Sequence, residues 1–208
     1  MSFNFNLKKE IKKFNDDAYE MPSTSHMSII DAQGNAISMT TSIEMAFGSA
    51  LMVNGYLLNN QLTDFALSPM TDGKPLINRV QSNKRPRSSM SPMMVFNSDG
   101  SLRLIVGSPG GSRIINYVAH TIIGVLDWQL TIQQAIDLPK ITNRNKITSL
   151  EKDTTVADLK TQFEQLGHKV QVVDLNSGLH GIEIINGKYY GGADPRREGI
   201  VLSDLTVN

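Results

Sequence analysis

The sequence lacks cysteine, a long apolar run and an excess of charge of either sign. The absence of cysteine among 208 residues excludes disulfides, thiol nucleophiles and thiolate metal sites. Twenty Lys and Arg balance twenty Asp and Glu, so no strong field favours nucleic acid or an anionic membrane surface. No segment approaches the roughly 18 consecutive apolar residues of a membrane-spanning helix, and the first residues lack the order of a signal peptide. We therefore expect small-molecule or protein partners, no nucleic acid and no membrane insertion.

The length favours one domain with a lead-in segment. Residues 1–23 are polar and lysine-rich, with a short helical pattern at residues 7–14 that the following DDAYEMPS interrupts. From residue 24 onward the pattern changes, so we expect the domain to occupy residues 24–208. Two short alternating runs, HMSIIDAQ and AISMTTS, flank a Gly34-Asn35 turn and predict a β-hairpin, with Thr24 at the start of its first strand.

The remaining patterns mix strands with helices. A second hairpin is predicted around Asp99-Gly100, followed by a buried helix over residues 114–128. Further helices are expected at residues 131–138 and 155–167, the latter ending at a Gly167 cap, and strands at HKVQVVDL and GIEIIN. This mixture predicts a layered α+β domain. The long intervening stretch, residues 47–92, is predicted to be mostly loop, and loops of that length are commonly functional or disordered.

Three motifs could carry chemistry. GSPGGSR, residues 107–113, places paired glycines between a strand and a helix, where exposed backbone N–H groups can bind an anion or a developing oxyanion. NKRPRSSMSP offers adjacent hydroxyls that could grip a carboxylate, and LLNNQLTDF brings amides and a carboxylate together in a form suited to an ammonium group. Each motif also has a plain structural interpretation, as a tight glycine turn or a polar surface turn.

Together, and in their order along the chain, the motifs resemble the γ-glutamyltransferase family. The chain has Thr24-Ser25-His26 where the family's small subunit begins at its nucleophilic threonine, then SIIDAQGNAISMTTS, the three motifs above and a late GADPRREG. The resemblance implies an N-terminal-nucleophile hydrolase fold, a four-layer αββα sandwich of which this chain would form the small-subunit half. It also implies a proenzyme that cuts itself between Ser23 and Thr24, with residues 1–23 corresponding to the end of the large subunit.

The family's catalytic residues carry over to four positions. Thr24 would attack the γ-carbonyl of the substrate, its own newly freed α-amine serving as the base. Ser42, where the family usually has threonine, would hydrogen-bond the nucleophile. The backbone N–H groups of Gly110 and Gly111 would form the oxyanion hole, each donor typically contributing roughly 3 kcal/mol.

The resemblance also implies a site for the amino-acid end of the substrate. Ser88 and Ser89 would hold the α-carboxylate, while Gln61, Asp64 and Glu44 would hold the α-ammonium. Glu44 departs from the asparagine found in many relatives, and its full charge should change affinity or donor range. Some relatives carry a lid tyrosine between the positions of Asp64 and residue 83, but this chain has none there, so we expect an open or differently gated site.

The implied activity is cleavage of γ-glutamyl amides such as glutathione, with transfer of the acyl group to water or an amino acid. Two alternatives remain open: an inactive remnant or unprocessed precursor fragment that only binds, and a related acylase acting on cephalosporin-type or poly-γ-glutamate substrates. The family's large subunit supplies a sheet, helices and an arginine for the substrate carboxylate. We therefore expect a large-subunit partner or a homo-oligomer to cover an apolar face.

No cofactor or metal is implied. His120, His168 and His180 lack metal-ligand spacing and are interpreted as structural or exposed. Composition leaves the compartment open, although the resemblance suggests a periplasmic or extracellular location.

Overall fold

The computed structural model describes residues 24–203. The predicted lead-in segment, the helical pattern at residues 7–14 and Ser23 therefore lie outside the described residues. The fold is a mixture of strands and helices, which confirms the α+β class. The strands are β1 (Thr24–Ile30), β2 (Ala36–Ser42), β3 (Met52–Val53), β4 (Tyr56–Leu57), β5 (Met70–Thr71), β6 (Lys74–Pro75), β7 (Met93–Phe96), β8 (Leu102–Gly107), β9 (Ile141–Asn143), β10 (Ile147–Glu151), β11 (Lys169–Val173), β12 (His180–Ile185) and β13 (Lys188–Ala193). The α-helices are α1 (Ile114–Leu126), α2 (Ile132–Asp137) and α3 (Lys160–Gln165).

The predicted N-terminal hairpin is confirmed. β1 and β2 pair antiparallel along their whole length, from Thr24 opposite Ser42 at the open end to Ile30 opposite Ala36 near the turn. Gly34 adopts a φ of 84°, a left-handed conformation that glycine accepts without steric cost. The register places the two hydroxyl residues side by side at the open end of the hairpin.

The central sheet lies between a layer of helices and a second layer of β-strands. Its strand order is β13-β12-β8-β7, with all neighbours antiparallel. Helices α1 and α2 contact this sheet and each other, and the β1–β2 hairpin packs against β8 and β12. The hairpin therefore forms a second β layer over the central sheet, so the described residues have an α-β-β arrangement.

The core lies between the central sheet and the two helices. Helix α1 buries residues at helical spacing, as the apolar pattern of IINYVAHTIIGVL predicts. Helix α2 begins with a capping box, in which Thr131 and Gln134 satisfy each other's backbone N–H groups. The buried cluster comprises Leu104, Val106, Ile114, Tyr117, Val118, Val125, Ile132, Ala135, Ile136 and Leu179.

A separate small sheet, in the order β11-β10-β9, lies beside α3 and α1. The predicted helix over residues 155–167 is a 3₁₀ turn at Ala157–Leu159 followed by α3, and Gly167 has the left-handed φ of 89° expected of a cap. The predicted strands HKVQVVDL and GIEIIN are present as β11 and β12, with slightly different limits. The sequence patterns did not predict β9, β10 or β13.

The stretch predicted as loop contains two tiny hairpins, β3–β4 and β5–β6, and a 3₁₀ turn at Gln61–Asp64. Residues 24–203 include no helix both long and apolar enough to cross a membrane. Over the same range, no three His, Asp or Glu side chains lie close enough together to hold a metal ion.

Candidate active site

The open end of the β1–β2 hairpin carries the candidate nucleophile. The Thr24 hydroxyl donates a hydrogen bond to Ser42 Oγ at 3.1 Å, and the backbone N–H of Glu44 donates to the same oxygen at 2.9 Å. Glu44 has a φ of 74°, a left-handed conformation that costs a residue with a Cβ about 1 kcal/mol. The chain therefore turns sharply after β2, and its backbone holds Ser42 against Thr24.

The glycine turn begins where β8 ends. Gly110 has a φ of 128° and Gly111 one of 58°, so both positions use conformations that favour glycine. A Cβ on Gly110 would lie 2.8 Å from the ring of Tyr117, whose buried position on α1 leaves no room for it. The turn continues through a 3₁₀ helix, Gly111–Arg113, directly into α1. Both dihedral demand and lack of space thus explain the paired glycines.

A loop formed by residues 176–179 lies behind this turn. A Cβ on Gly178 would lie 2.5 Å from Pro109 Cγ, so only glycine permits the observed contact. Asp194 Oδ2 fixes the loop by accepting hydrogen bonds from the Ser177 hydroxyl at 2.5 Å and from the Leu179 N–H at 3.2 Å. Burial opposes ionisation of Asp194, but these and further hydrogen bonds outweigh it and hold the carboxyl pKa below its usual value. The GADPRREG motif, to which the sequence pattern assigned no role, thus supports the glycine turn through Asp194.

The amide-rich loop faces the same region. Gln61 Nε2 donates to Asp64 Oδ2 at 2.7 Å, while Gln61 Oε1 is buried and accepts no hydrogen bond from residues 24–203. Asn60 ties the loop to the segment after β2, because its N–H donates to Ile43 O and its Oδ1 accepts from Met45 N–H. A buried acceptor beside a carboxylate suits a ligand that donates hydrogen bonds and carries positive charge.

The hydroxyl-rich loop borders the same pocket as the amide-rich loop, through residues 87–90. Ser88 Oγ accepts from the Met90 N–H at 3.2 Å, and the Ser91 hydroxyl donates to the carbonyl of Ser89 at 2.9 Å. Arg87, immediately before the two candidate serines, also lines the space between the loops. This wall therefore offers hydroxyls and a guanidinium, the groups that bind a carboxylate.

These elements enclose one pocket that brings together eight of the nine candidate catalytic and binding residues. Its lining consists of Thr24, Ser42, Glu44, Gln61, Asp64, Arg87, Ser88, Ser89, Met90, Gly111, Ser112 and Ile114. Gly110 is the ninth candidate and lies in the turn without lining the pocket. None of residues 65–86 contributes to the lining, and this stretch includes the tyrosine-free segment for which we expected an open or differently gated site. Sequence patterns had not singled out Arg87, Met90, Ser112 or Ile114 individually, although all four lie in or beside the quoted motifs.

A buried histidine joins the hairpin to the central sheet. His26, 7% exposed, shares hydrogen bonds with Thr40 Oγ1 at 2.8 Å and Ser28 Oγ at 3.1 Å. A Cβ on Gly107, the last residue of β8, would lie 2.2 Å from the imidazole ring. Burial, and then the charge of nearby His180, lower the pKa of His26 to about 4. His26 is therefore neutral at pH 7 and acts as a packing residue between the two β layers.

Two further histidines lie away from the hairpin. His120 contacts Trp128 edge to face, with ring centroids 5.4 Å apart, and His168 Nδ1 is 3.0 Å from Thr148 Oγ1.

Comparison with known proteins gives a consistent result. The family model described as gamma-glutamyltranspeptidase matches residues 3–203. The chain is 36% identical over 184 residues to the glutathione hydrolase proenzyme of Bacillus subtilis strain 168, covering 86% of the chain and 30% of that protein. It is 36% identical over 202 residues to the proenzyme of Escherichia coli strain K12, covering 91% of the chain and 33% of that protein. The chain thus spans about a third of the length of these relatives.

A solved structure shares the fold. A mutant of Helicobacter pylori γ-glutamyltranspeptidase superimposes with a TM-score of 0.74 and 34% sequence identity, covering 83% of this chain and 99% of that one.

Proposed function

The chain belongs to the γ-glutamyltranspeptidase family, and we propose that residues 24–208 form its nucleophile-bearing domain, acting on γ-glutamyl amides such as glutathione. One observation carries the proposal. The Thr24–Ser42 hydrogen bond lies on the wall of a pocket that also contains an acidic, amide-rich loop and a basic, hydroxyl-rich loop. Such a pocket suits a ligand with a reactive carbonyl at one end and an amino-acid zwitterion at the other.

The proposed reaction begins with cleavage between Ser23 and Thr24, which frees the Thr24 α-amine. An α-amine has a pKa of about 8, so a useful fraction is neutral near pH 7 and can accept the hydroxyl proton. Thr24 Oγ1 attacks the γ-carbonyl carbon, and the backbone N–H groups of Gly110 and Gly111 stabilise the resulting oxyanion. The C–N bond then breaks, and the leaving amine takes the proton from the Thr24 ammonium. Water or an amino acid attacks the γ-glutamyl ester and regenerates Thr24.

The two loops would bind the two charged groups of the substrate's amino-acid end. Asp64, Glu44 and the buried Oε1 of Gln61 would accept hydrogen bonds from the α-ammonium. Ser88 and Ser89 would donate to the α-carboxylate, with Arg87 adding positive charge to the same wall. A substrate lacking either charged group would leave polar groups of the site without partners, which weakens binding.

A partner chain is part of the proposal. Polar side chains of the β1–β2 hairpin face the central sheet, as when Ser38 donates to Val106 O at 3.4 Å. The opposite face is polar at the open end, where Ser25 pairs with Thr41, and apolar towards the turn. That outer face carries the cross-strand pairs Met27–Met39 and Ile29–Ile37, whose side chains are 39–51% exposed. We propose that a large-subunit chain, or a second copy, covers this face and completes an αββα sandwich.

Intact-protein mass spectrometry tests the first step. Freshly purified and incubated protein should differ by the mass of residues 1–23, and the Thr24→Ala variant should keep its full mass. Thr161→Ala, at an exposed threonine on α3, is the matched control and should mature normally. If the mass never changes, with or without an added large-subunit chain, the chain does not mature. That outcome would favour the alternative of an inactive remnant that only binds.

Turnover tests the second step. The matured protein should release p-nitroaniline from γ-glutamyl p-nitroanilide, and quenching during turnover should trap a γ-glutamyl adduct on the peptide that begins with Thr24. Activity on a glutaryl anilide that equals or exceeds this rate would favour the acylase alternative, because a glutaryl group lacks the α-ammonium.

A further inference from the structure

One side chain outside the pocket joins its two charged walls. Asn78 Nδ2 donates a hydrogen bond to the backbone carbonyl of Asp64 at 2.7 Å, and Asn78 Oδ1 accepts one from the backbone N–H of Arg87 at 3.1 Å. The two partners differ in type, one acceptor and one donor, so a primary amide satisfies both at once. Asn78 is partly buried and lies in the stretch between the two motif loops, 14 residues after one partner and 9 before the other.

The two loops that this amide connects have opposite chemical character. Asp64 and Gln61 belong to the wall suited to an ammonium group, whereas Arg87 precedes the two serines of the wall suited to a carboxylate. In an α-amino acid these two groups are attached to the same carbon atom, so their separation is fixed. Both walls can therefore engage the ligand together only if the separation of the loops is fixed as well.

Two neighbouring hydrogen bonds do not join the two walls directly. The Ala66 N–H donates to the Asn78 carbonyl at 2.9 Å, which secures only the first loop. The Lys84 ammonium donates to Ile77 O at 2.6 Å, but this lysine is exposed and attaches ahead of the second loop. The Asn78 side chain bonds directly to the backbone of both pocket-lining residues.

We propose that Asn78 is a positioning residue that sets the spacing between the ammonium-binding and carboxylate-binding walls, so that the two ends of the zwitterion are recognised as one unit. The proposal rests on the substrate assignment above. Asn78 does not line the pocket and touches no reacting atom. Its effect passes through the backbone of Asp64 and Arg87.

Two substitutions separate the two hydrogen bonds. Asn78→Asp keeps an oxygen for the Arg87 N–H but places a second oxygen against the Asp64 carbonyl, so only the first loop loses its bond. Asn78→Leu has nearly the same size and removes both bonds. Asn97→Asp is the matched control, since Asn97 makes a similar side-chain hydrogen bond, to Ser101 Oγ at 2.9 Å, in the exposed turn between β7 and β8.

Hydrogen exchange of the full chain, followed by mass spectrometry, tests the connection without any ligand. In Asn78→Asp, peptides covering residues 59–66 should exchange roughly 5- to 10-fold faster, as expected for loss of one hydrogen bond, while residues 85–91 change little. In Asn78→Leu both segments should exchange faster. The proposal would be overturned if both segments exchanged at the wild-type rate in both variants. It would also be overturned if Asn97→Asp accelerated the exchange of these segments equally.

Calorimetric titration tests the consequence for recognition, with L-glutamate, glutarate, which lacks the ammonium, and γ-aminobutyrate, which lacks the α-carboxylate. Wild type should bind L-glutamate best. Asn78→Leu should weaken L-glutamate by about 10-fold and each single-group analogue by no more than about 3-fold. Equal weakening of all three ligands would mean general damage and would overturn the proposal. If the wild-type chain binds none of them, the substrate assignment fails, and the exchange comparison alone decides whether Asn78 joins the loops.

Discussion

Thr24 and Ser42 are the first residue of β1 and the last residue of β2, direct partners across the hairpin, and their hydroxyls are hydrogen-bonded at 3.1 Å. The fold determines this contact, because the register of the seven-residue β1–β2 ladder decides which hydroxyl lies beside the candidate nucleophile. A slip of one residue would turn Ser42 to the opposite face of the hairpin.

Ser42→Ala should lower kcat for γ-glutamyl p-nitroanilide by about 10- to 100-fold in the matured protein, because Thr24 loses its partner and the Glu44 N–H loses its acceptor. Ser42→Thr keeps the hydroxyl and should retain most of the activity. Equal rates for the alanine and threonine variants would remove Ser42 from the mechanism.

Gly178→Ala should lower kcat at least about 10-fold with a smaller change in KM, because the new methyl group would displace Pro109 and the glycine turn after it. Gly181→Ala is a control for general destabilisation. Its Cβ would lie 2.8 Å from Ile105 O, inside the central sheet and away from the turn. If both variants lose activity only in proportion to their loss of folded protein, the loop of residues 176–179 has no specific role.

Glu44→Asn should have two opposite effects. Asparagine tolerates the left-handed φ of 74° better than glutamate, so the free energy of unfolding should rise by about 0.5–1 kcal/mol. Loss of the carboxylate should raise KM for γ-glutamyl donors, because the α-ammonium loses a charged partner. Glu44→Gln removes the charge without relieving the backbone. It should therefore raise KM with no gain in stability, as denaturant titration and steady-state kinetics on the three proteins will show.

Stability should fall on acidification because of His26. Its pKa is about 4 in the folded protein and about 6.5 when unfolded, so the unfolded chain binds a proton first as the pH decreases. The contribution of neutral His26 is fully present above pH 6.5 and is lost as the pH falls towards 4, by up to about 3 kcal/mol. Urea unfolding at pH 7 and pH 4.5 should show a smaller difference for His26→Asn than for wild type. An unchanged difference would show that other groups govern the acid response.

The sequence predicted the elements with strong local signals. The hairpin around Gly34, helix α1 and the Gly167 cap all follow from alternation, helical periodicity or turn residues, and all are present. The missed strands have weak signals of their own. β9 has three residues, and β13 contains Gly191 and Gly192, which are uncommon in strands. These segments are strands because neighbouring strands pair with them.

The candidate site divides in the same way. Thr24, Gly111 and the residues of the two loops could be identified from the sequence, because each lies in a short motif that resembles one of the family's motifs. Asn78 and Asp194 act through hydrogen bonds to distant backbone, and no local pattern marks an asparagine or aspartate for that task. The carry-over of catalytic roles to individual residues remains a prediction that the variants above test.

The placement of Thr24 at the very start of β1 also bears on how maturation would proceed. The ladder that secures this residue runs forward along the chain, towards Ile30, and its hairpin partners are residues 36–42. Severing the bond before Thr24 would therefore leave the seven described pairs of this ladder in place. The new chain terminus would be anchored from its downstream side at the moment it forms, and maturation would need no refolding of the strand that presents the nucleophile.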